Sequence, residues 1–321
     1  MTTNISAFQI YWADGKSSAL PDSSSVIALG TFDGVHVAHS KLICEAISLK
    51  EQLGAKYVGA WSFIQAPASL LINHDIPMLT TVEDKIRLLL SKGLDFVAIG
   101  DFRDFRDISA ERFIVSFLKN KLCCIGTVCG FNHRFGHMGK GSPDLLEKEF
   151  GKASVITVPE ITVMGETVSS SCIRKKLSEG EIASANEMLG RPYSICAEVV
   201  SNKKLGHKLG FPTANQYFPD GIAVPKHGIY ASLCTTPDGK RYIGVSNVGV
   251  RPTISDSSDD HVLNCETYIH DFSGNIYGQM LTVEFCCFIR DEKKFSSIEE
   301  LTAAISNDTA CAIEHFNNTP L

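Results

Sequence analysis

Residues 26–39 read VIALGTFDGVHVAH, and this stretch decides the fold of the first half of the chain. The apolar run at its start stops at Gly30, as a buried strand does. Residues 40–53 then carry their apolar side chains on one helical face. A buried strand, a glycine turn and an amphipathic helix in this order predict the first unit of an α/β sheet.

The same alternation continues through the first half of the chain. Strand-like runs occupy 57–63, 96–99 and 125–129, a helix begins at Thr81, and 110–118 is again helical. Strands that alternate with helices predict a parallel, doubly wound (Rossmann-like) sheet. Ligands on such sheets bind beyond the carboxyl ends of the strands.

The pattern changes near residue 190, where a helical stretch ends at Gly190 with Pro192 just beyond it. Short strand-like runs follow at 195–200, 229–234, 242–247, 265–270 and 281–288. Hairpin turns are predicted at 237–240 and 273–275, and 298–316 reads as an amphipathic helix. The predicted fold class is therefore α/β followed by β. A doubly wound domain covers residues 1–188, and a small antiparallel β-barrel with a closing helix covers 189–321.

The gross composition limits the classes of function. The 321 residues carry a net charge of −6, which disfavours a nucleic-acid partner because phosphate neutralisation needs a basic surface. The 11 cysteines show no CxxC spacing, so we expect no zinc site and a reducing compartment. We see no signal-peptide pattern and no apolar run long enough to span a membrane. We therefore expect a cytoplasmic protein without nucleic-acid or membrane partners, and its oligomeric state stays open.

The turn after the first strand carries the first candidate site. Gly30 and Gly34 allow the backbone to turn tightly, and the helix that follows offers free N–H groups to a phosphate. His36 and His39 are three residues apart and share a face. Their imidazoles can donate hydrogen bonds to triphosphate oxygens that gain charge during a reaction. The alternative interpretation is a glycine-rich turn with incidental histidines.

At these residues the chain resembles the prokaryotic bifunctional riboflavin kinase/FAD synthetase family, whose nucleotidyltransferase half carries a GxFDGxHxGH motif. Residues 30–39 match every fixed position except the last glycine, which is Ala38. The resemblance implies an ATP site with the two histidines in catalysis. The phosphate-binding residues implied here are Gly30, Phe32, Asp33 and Gly34.

Two further segments resemble the same nucleotidyltransferase half. Residues 169–174, SSSCIR, resemble its SSTxIR element, where hydroxyls and an arginine can grip β- and γ-phosphates. A plain helix N-cap is the alternative. Residues 130–136, GFNHRFG, resemble its G-[FY]-[DN]-x-R-F-G segment, for which a structural role is the alternative. The candidates are Ser169, Ser170, Ser171 and Arg174 for phosphate, and Asn132 and Arg134 for flavin or substrate. One position departs from the family, because Ala66 stands where its TFxPHP-like stretch has histidine.

The most specific string in the chain is 209–215, LGFPTAN, which resembles the riboflavin kinase GxPTAN motif. Gly210 permits a close approach of ATP and Pro212 fixes the backbone. Thr213 and Asn215 offer the hard oxygen ligands that Mg²⁺ prefers. The resemblance implies that these last two residues bridge Mg²⁺ and ATP.

Glu266 and Arg290 complete the second candidate site. A lone carboxylate in the strand-like run 265–270 reads by itself as part of a solvated face. The resemblance instead places there a general base for the ribityl 5′-hydroxyl of riboflavin. It also places Arg290 near the flavin or on the lid side. Residues 202–206 read NKKLG where the family often has GxGRG.

The leading hypothesis is a bifunctional enzyme that uses ATP twice. It would phosphorylate riboflavin to FMN and then transfer an adenylyl group from ATP to FMN, giving FAD and pyrophosphate. One alternative is a riboflavin kinase whose adenylyltransferase half is impaired by the changes at Ala38 and Ala66. The other is a non-catalytic flavin- or nucleotide-sensing protein. The general base and the metal-bridging pair disfavour it, because binding alone requires neither. The expected partners are riboflavin, FMN and ATP, with Mg²⁺ as the cofactor.

Overall fold

The structure is a computed structural model that describes residues 8–15, 19–65, 76–201, 212–251 and 262–318. Contacts between residues divide the chain into two units, Met1–Ser170 and Ser171–Leu321. Each unit is organised around one six-stranded sheet.

The sheet of the first unit is parallel except at one edge. Its strands are β1 (Phe8–Trp12), β2 (Ser25–Leu29), β3 (Tyr57–Phe63), β4 (Phe96–Gly100), β5 (Cys124–Gly130) and β6 (Val155–Val158). The order is β1-β4-β3-β2-β5-β6, and only the β1–β4 pair is antiparallel. A two-stranded ribbon of β7 (Thr162–Val163) and β8 (Glu166–Thr167) follows. The predicted doubly wound sheet is confirmed, and its strand order reverses between β2 and β5.

Helices connect these strands as the sequence pattern predicts. They are α1 (Val37–Leu53), α2 (Val82–Ser91), α3 (Phe102–Phe105), α4 (Ala110–Arg112) and α5 (Pro143–Phe150), and α4 continues as a π-helix over Phe113–Lys119. Single 3₁₀ turns lie at Asp33–Val35, His137–Gly139 and Lys152–Ser154. Thr81 begins α2 as predicted, since its Oγ1 accepts a hydrogen bond from the N–H of Asp84 at 3.1 Å.

Both faces of this sheet are covered by apolar side chains. Val26 and Ala28 of β2 join the cluster that includes α1, while Ile27 and Leu29 join an aromatic-rich cluster on the other face. All five residues of β2 are buried. Burial on both faces explains why this strand reads as an unbroken apolar run.

The second unit has helices before and after its strands. α6 (Ser170–Glu179), which starts at the last residue of the first unit, and α7 (Ile182–Leu189) precede the strands, and α8 (Ile298–Asn318) follows them. The Asn186 amide of α7 donates to the carbonyl of Phe285 at 2.8 Å and accepts from the N–H of Tyr193 at 2.7 Å. These bonds attach α7 to the strands of this unit.

The strands of the second unit form a small antiparallel barrel, as predicted. They are β9 (Tyr193–Glu198), β10 (Thr213–Tyr217), β11 (Gly228–Thr235), β12 (Arg241–Arg251), β13 (Val262–Ile269) and β14 (Met280–Arg290). Their order is β10-β13-β12-β11-β14-β9. The Val200 N–H donates to the carbonyl of Asn215 at 2.8 Å, and this bridge joins the two ends of the sheet.

Two local predictions about the barrel have different outcomes. The turn at 237–240 joins paired strands, because Thr235 lies opposite Arg241. The predicted hairpin at 273–275 is wrong, because β13 pairs with β10 and β12 whereas β14 pairs with β11 and β9. The connection therefore crosses to another part of the sheet. No strand was predicted at β10, although its residues pair along their whole length with β13.

The closing helix α8 packs on the outer face of the barrel, as predicted. That face is defined by Ile229, Ala231, Leu233 and Val245, which form one cluster with Ala312 and Phe316 of the helix. The buried side of α8 recurs every four residues, at Ala304, Asp308, Ala312 and Phe316. One charged residue thus stands in an apolar stripe. Within the described ranges, no helix is both long and apolar enough to cross a membrane.

Candidate active sites

The loop between β2 and α1 has a strained backbone. Phe32 and Val35 have φ values of 49° and 42°, in the left-handed region that a β-branched residue rarely enters. Gly34 lies between them at φ 78°, which glycine adopts without steric penalty. A Cβ at Gly30 would come within 3.1 Å of the Phe32 ring. Strain that buried side chains maintain is typical of functional loops.

The two predicted histidines lie together where α1 begins. His36 is the N-cap, and its Nδ1 accepts a hydrogen bond from the N–H of His39 at 3.3 Å. The rings stack with centroids 3.6 Å apart and planes 13° from parallel. Burial, followed by the charges of His36 and Lys85, holds the pKa of His39 well below its usual value. The His39 imidazole is therefore neutral at pH 7.

One nitrogen of this pair is available to a ligand. The Nδ1 atom of His39 is buried and has no hydrogen-bond partner among the described residues. Leaving such an atom unpaired costs about 1–3 kcal/mol. A phosphate at the N-terminus of α1 would pair with the N–H tautomer of this nitrogen and would also receive the backbone N–H groups.

Two buried charges lie next to the loop, and only Asp33 was predicted. Its carboxylate accepts a hydrogen bond from the N–H of Leu79 at 2.7 Å. Lys85 of α2 is completely buried, and its Nζ donates to the carbonyl of Phe63 at 2.5 Å. Burial lowers the pKa of Lys85 to about 8, and the Asp33 carboxylate opposes that shift. The available signal for Lys85 was its position four residues before Leu89, on the buried side of α2.

The other first-unit candidates follow the strands on either side of the strand-order reversal. β2 and β5 are parallel neighbours, so the segments that follow them begin at one edge of the sheet. Asn132 and Arg134 lie on exposed positions just after β5. Ser170, the last residue of the first unit, donates its hydroxyl hydrogen to the carbonyl of Asp33 at 3.0 Å.

The rest of the serine-rich segment divides between the units. Ser169 is the residue before α6, while Ser171 and Arg174 are grouped with the second unit. The Arg174 guanidinium donates to the Ser171 hydroxyl at 3.2 Å. The phosphate contacts expected of these residues stay predictions.

The second candidate site is a row of side chains on the outer face of the barrel. Glu266 of β13 lies opposite Asn215 of β10 on one side and opposite Asn247 of β12 on the other. Neighbouring strands are ~4.8 Å apart, so the three side chains are adjacent. Thr213, on the same face, donates its hydroxyl hydrogen to Glu266 Oε1 at 2.7 Å. The fold thus brings the predicted kinase residues together.

A cavity of about 260 Å³ opens beside this row. Thr213 and Glu266 belong to its polar wall, and Leu301 and Ile305 of α8 contribute apolar surface. Pro212 lies immediately before β10. The predicted contact at Gly210 and the departures at Ala66 and 202–206 lie outside the described residues.

Arg290 lines the same cavity and is held by a residue that sequence reasoning missed. Its Nε and Nη2 donate to the two carboxylate oxygens of Asp308 at 2.9 and 2.6 Å. The Asp308 side chain is 6% exposed. This two-pronged geometry fixes the plane of the guanidinium at the cavity wall. The signal available in the sequence was an acidic residue inside the apolar stripe of α8. The flavin contact of Arg290 stays a prediction.

The donors around Glu266 fit a magnesium ion. The Thr213 hydroxyl and the Asn215 amide are hard oxygen donors on one face of the sheet, next to the Glu266 carboxylate. In the part of the chain that the structure describes, no group of three or more His, Cys, Asp or Glu side chains is arranged to hold a metal. Mg²⁺ at this place would therefore take its remaining ligands from phosphate and water, as it commonly does.

Known proteins resemble the chain over nearly its whole length. The Bacillus subtilis (strain 168) protein named bifunctional riboflavin kinase/FMN adenylyltransferase is 34% identical over 303 residues, which is 92% of this chain and 94% of that protein. The chain belongs to the bifunctional riboflavin kinase/FMN adenylyltransferase family. The Escherichia coli (strain K12) protein of the same name is 31% identical, and the match covers 94% of this chain and 96% of that protein.

The two halves of this bifunctional kinase/adenylyltransferase also match separately. Residues 19–172 match the FAD synthetase family, and 189–316 match the riboflavin kinase family. The chain is therefore an enzyme that forms FMN from riboflavin and FAD from FMN, with ATP as co-substrate, and the leading hypothesis is confirmed.

A solved structure shares the architecture. The crystal structure described as a macrolide-efflux protein from Streptococcus pneumoniae has a TM-score of 0.82 and 26% identity to this member of the family. The match covers 93% of this chain and 95% of that one. The name macrolide-efflux protein applies to the Streptococcus pneumoniae protein alone.

Proposed function

We propose that the two reactions are divided along the chain, with adenylyl transfer in residues 1–188 and riboflavin phosphorylation in 189–321. The family matches at 19–172 and 189–316 support this division. We propose Mg²⁺ as the cofactor and riboflavin, FMN and ATP as the small-molecule partners. All eleven cysteines are free thiols, which supports the cytoplasm as the compartment.

The hydrogen bond from Thr213 to Glu266 is the observation that carries the kinase assignment. Glu266 accepts the proton of the ribityl 5′-hydroxyl while that oxygen forms a bond to the γ-phosphorus of ATP. The bond from this phosphorus to the bridging oxygen breaks, and ADP leaves. Thr213 and Asn215 would hold Mg²⁺, which would offset charge on the transferred phosphoryl group. Thr213 also fixes the orientation of the Glu266 carboxylate.

In adenylyl transfer, a phosphate oxygen of FMN forms a bond to the α-phosphorus of ATP, and pyrophosphate leaves. His36 and His39 donate hydrogen bonds to the oxygens that gain charge. The lowered pKa of His39 supports this role, because a neutral imidazole donates without a buried positive charge. The phosphates lie against the loop at 30–34, where the α1 N-terminus attracts anions. Phosphate contacts from residues 169–174 are part of the same proposal.

A product assay on matched variants tests the division of roles. Glu266→Gln should abolish FMN formation and leave FAD formation from supplied FMN intact, because the amide keeps the shape but cannot accept the proton. His36→Ala should show the reverse. Chromatography separates riboflavin, FMN and FAD after incubation with ATP and Mg²⁺.

Two variants control for general effects of removing these groups. Glu284→Gln changes another strand carboxylate, which pairs with Arg241 at 3.1 Å, and it should retain FMN formation. His137→Ala removes an exposed histidine and should retain both activities. If Glu266→Gln lost FMN formation and FAD formation to the same extent, the assignment of separate sites would be wrong.

A further inference from the structure

Asn247 lies beside Glu266 and has no role in the proposed phosphoryl transfer. The strand register sets a row of opposed residues across the outer face of the barrel. In order, the row is Asn215, Glu266, Asn247, Ile229 and Arg290. Asn247 therefore lies between the proposed base and the arginine that lines the cavity.

The Asn247 side chain is half-buried and lines the cavity. Its Oδ1 is covered from solvent and has no hydrogen-bond partner among the described residues. Most buried polar atoms in proteins are paired, so an unpaired one calls for a physical reason. At a cavity wall the reason is a ligand, because rotation of the amide can turn either its oxygen or its NH₂ group towards a bound molecule.

Among the described residues, the side chains set opposite Asn247 or beside it on β12 offer no substitute for such a ligand. Ile229 lies opposite it on β11, and Val245 precedes it by two residues on the same face of β12. Both are apolar and line the cavity. Of the two residues directly opposite Asn247, Glu266 is the polar one, and it already accepts the hydroxyl hydrogen of Thr213.

We propose that Asn247 binds a secondary hydroxyl of the ribityl chain of riboflavin, next to the terminal hydroxyl that is phosphorylated. This inference rests on the proposed role of Glu266 at that terminal hydroxyl. A polyol carries hydroxyls on successive carbons, so a chain that ends at Glu266 brings another hydroxyl within reach of the next strand, ~4.8 Å away. A hydroxyl both donates and accepts, as does the amide. Asn247 is thus a specificity residue for a hydroxylated side chain.

Substrate analogues combined with a variant test this assignment. Asn247→Leu keeps the size of the side chain and removes its polar atoms. We expect kcat/KM for riboflavin to fall about tenfold, which is the usual loss for one hydrogen bond. Wild type should show a similar fall with one of the 2′-, 3′- or 4′-deoxyriboflavins. The variant should show no further fall with that analogue, because both changes remove the same contact.

Thermal unfolding separates binding from a structural role. Because Oδ1 makes no bond within the described protein, Asn247→Leu should not lower the melting temperature of the ligand-free enzyme. Asn247→Ala, which adds no bulk, provides the same comparison if leucine disturbs packing. Asn264→Leu is the matched control, since Asn264 is on β13, two residues from Glu266, and does not line the cavity. It should retain wild-type discrimination among the analogues.

The outcomes distinguish this inference from the proposed kinase mechanism. A lower melting temperature in both Asn247 variants, or the same analogue discrimination as wild type, would overturn the inference. If Glu266→Gln still forms FMN at the wild-type rate, the proposed base fails instead. Formation of FAD from FMN should be unchanged in every Asn247 variant.

Discussion

Replacing Asp308 with alanine should weaken the second unit by an amount that follows from its contacts. The carboxylate accepts two hydrogen bonds from Arg290, at 2.9 and 2.6 Å. Removing one partner of a buried ion pair costs about 3–5 kcal/mol. The Arg290 side chain is 24% exposed and still donates to the carbonyl of Asp291 at 3.1 Å. Because Arg290 keeps this bond and some contact with water, the cost should be smaller than for a fully buried pair. We therefore expect the free energy of unfolding to fall by about 2–3 kcal/mol, which is close to the cost of losing hydrogen bonds to a charged group.

Spectroscopy can assign this loss to one unit. Both tryptophans of the chain, Trp12 and Trp61, lie in the first unit. In Asp308→Ala, the denaturant transition followed by far-ultraviolet circular dichroism should begin earlier, while the tryptophan fluorescence transition should stay in place. FMN formation should fall because the guanidinium at the cavity wall loses its fixed orientation. FAD formation from supplied FMN should not change.

Glu314→Ala is the matched control because it removes an exposed carboxylate from the same helix. Both substitutions place alanine in the helix interior, so the comparison isolates the Arg290 pair from helix propensity. If Asp308→Ala is no less stable than Glu314→Ala, the pair does not contribute as argued. An equal shift of the tryptophan transition would also contradict the reasoning.

Three other predictions concern buried charge and the metal. Lys85→Met should slow FAD formation from FMN, because it removes the hydrogen-bond donor to the Phe63 carbonyl and the cation near Asp33. FMN formation from riboflavin should not change. A variant that forms FAD from FMN at the wild-type rate would contradict this prediction. The depressed pKa of His39 means that below pH 6.5 the unfolded chain binds a proton that the folded chain does not. Stability should therefore fall as the pH drops, by up to about 1.4 kcal/mol per pH unit. His39→Gln should flatten that slope in the tryptophan transition measured from pH 7 to 5.5, and an unchanged slope would refute the assignment. Chelation should stop FMN formation and added Mg²⁺ should restore it, whereas activity in excess chelator would exclude the metal role.

The sequence predicts a strand well when burial is hydrophobic and poorly when it is polar. All residues of β2 are buried, and its four consecutive apolar residues predict the strand. Strand β10 reads TANQY and gives no such signal. Gln216 is buried there because its amide donates to the carbonyls of Ala197 and Leu281, both at 2.7 Å. Hydropathy cannot reveal a residue whose burial depends on bonds across the barrel.

Site residues show the same limit in another form. The histidines of the first site lie within ten consecutive residues, so the motif reveals them together. Lys85 and Asp308 were detectable in principle, because each is a charge placed at helical spacing among buried apolar residues. Asn247 was not detectable, because its place beside Glu266 depends on which strands pair and in which register.

That register is itself fixed from the inner face of the barrel. Ser246 is within 2.7 Å of the Ser232 hydroxyl and 2.8 Å of the Thr267 hydroxyl, and all three residues are fully buried. Sliding β12 by one residue would break both bonds and leave buried hydroxyls unpaired, at about 1–3 kcal/mol each. The same slip would turn Asn247 away from the outer face, because a one-residue shift reverses every side chain of a strand. The row beside Glu266 is therefore specified by hydroxyls that face away from the cavity.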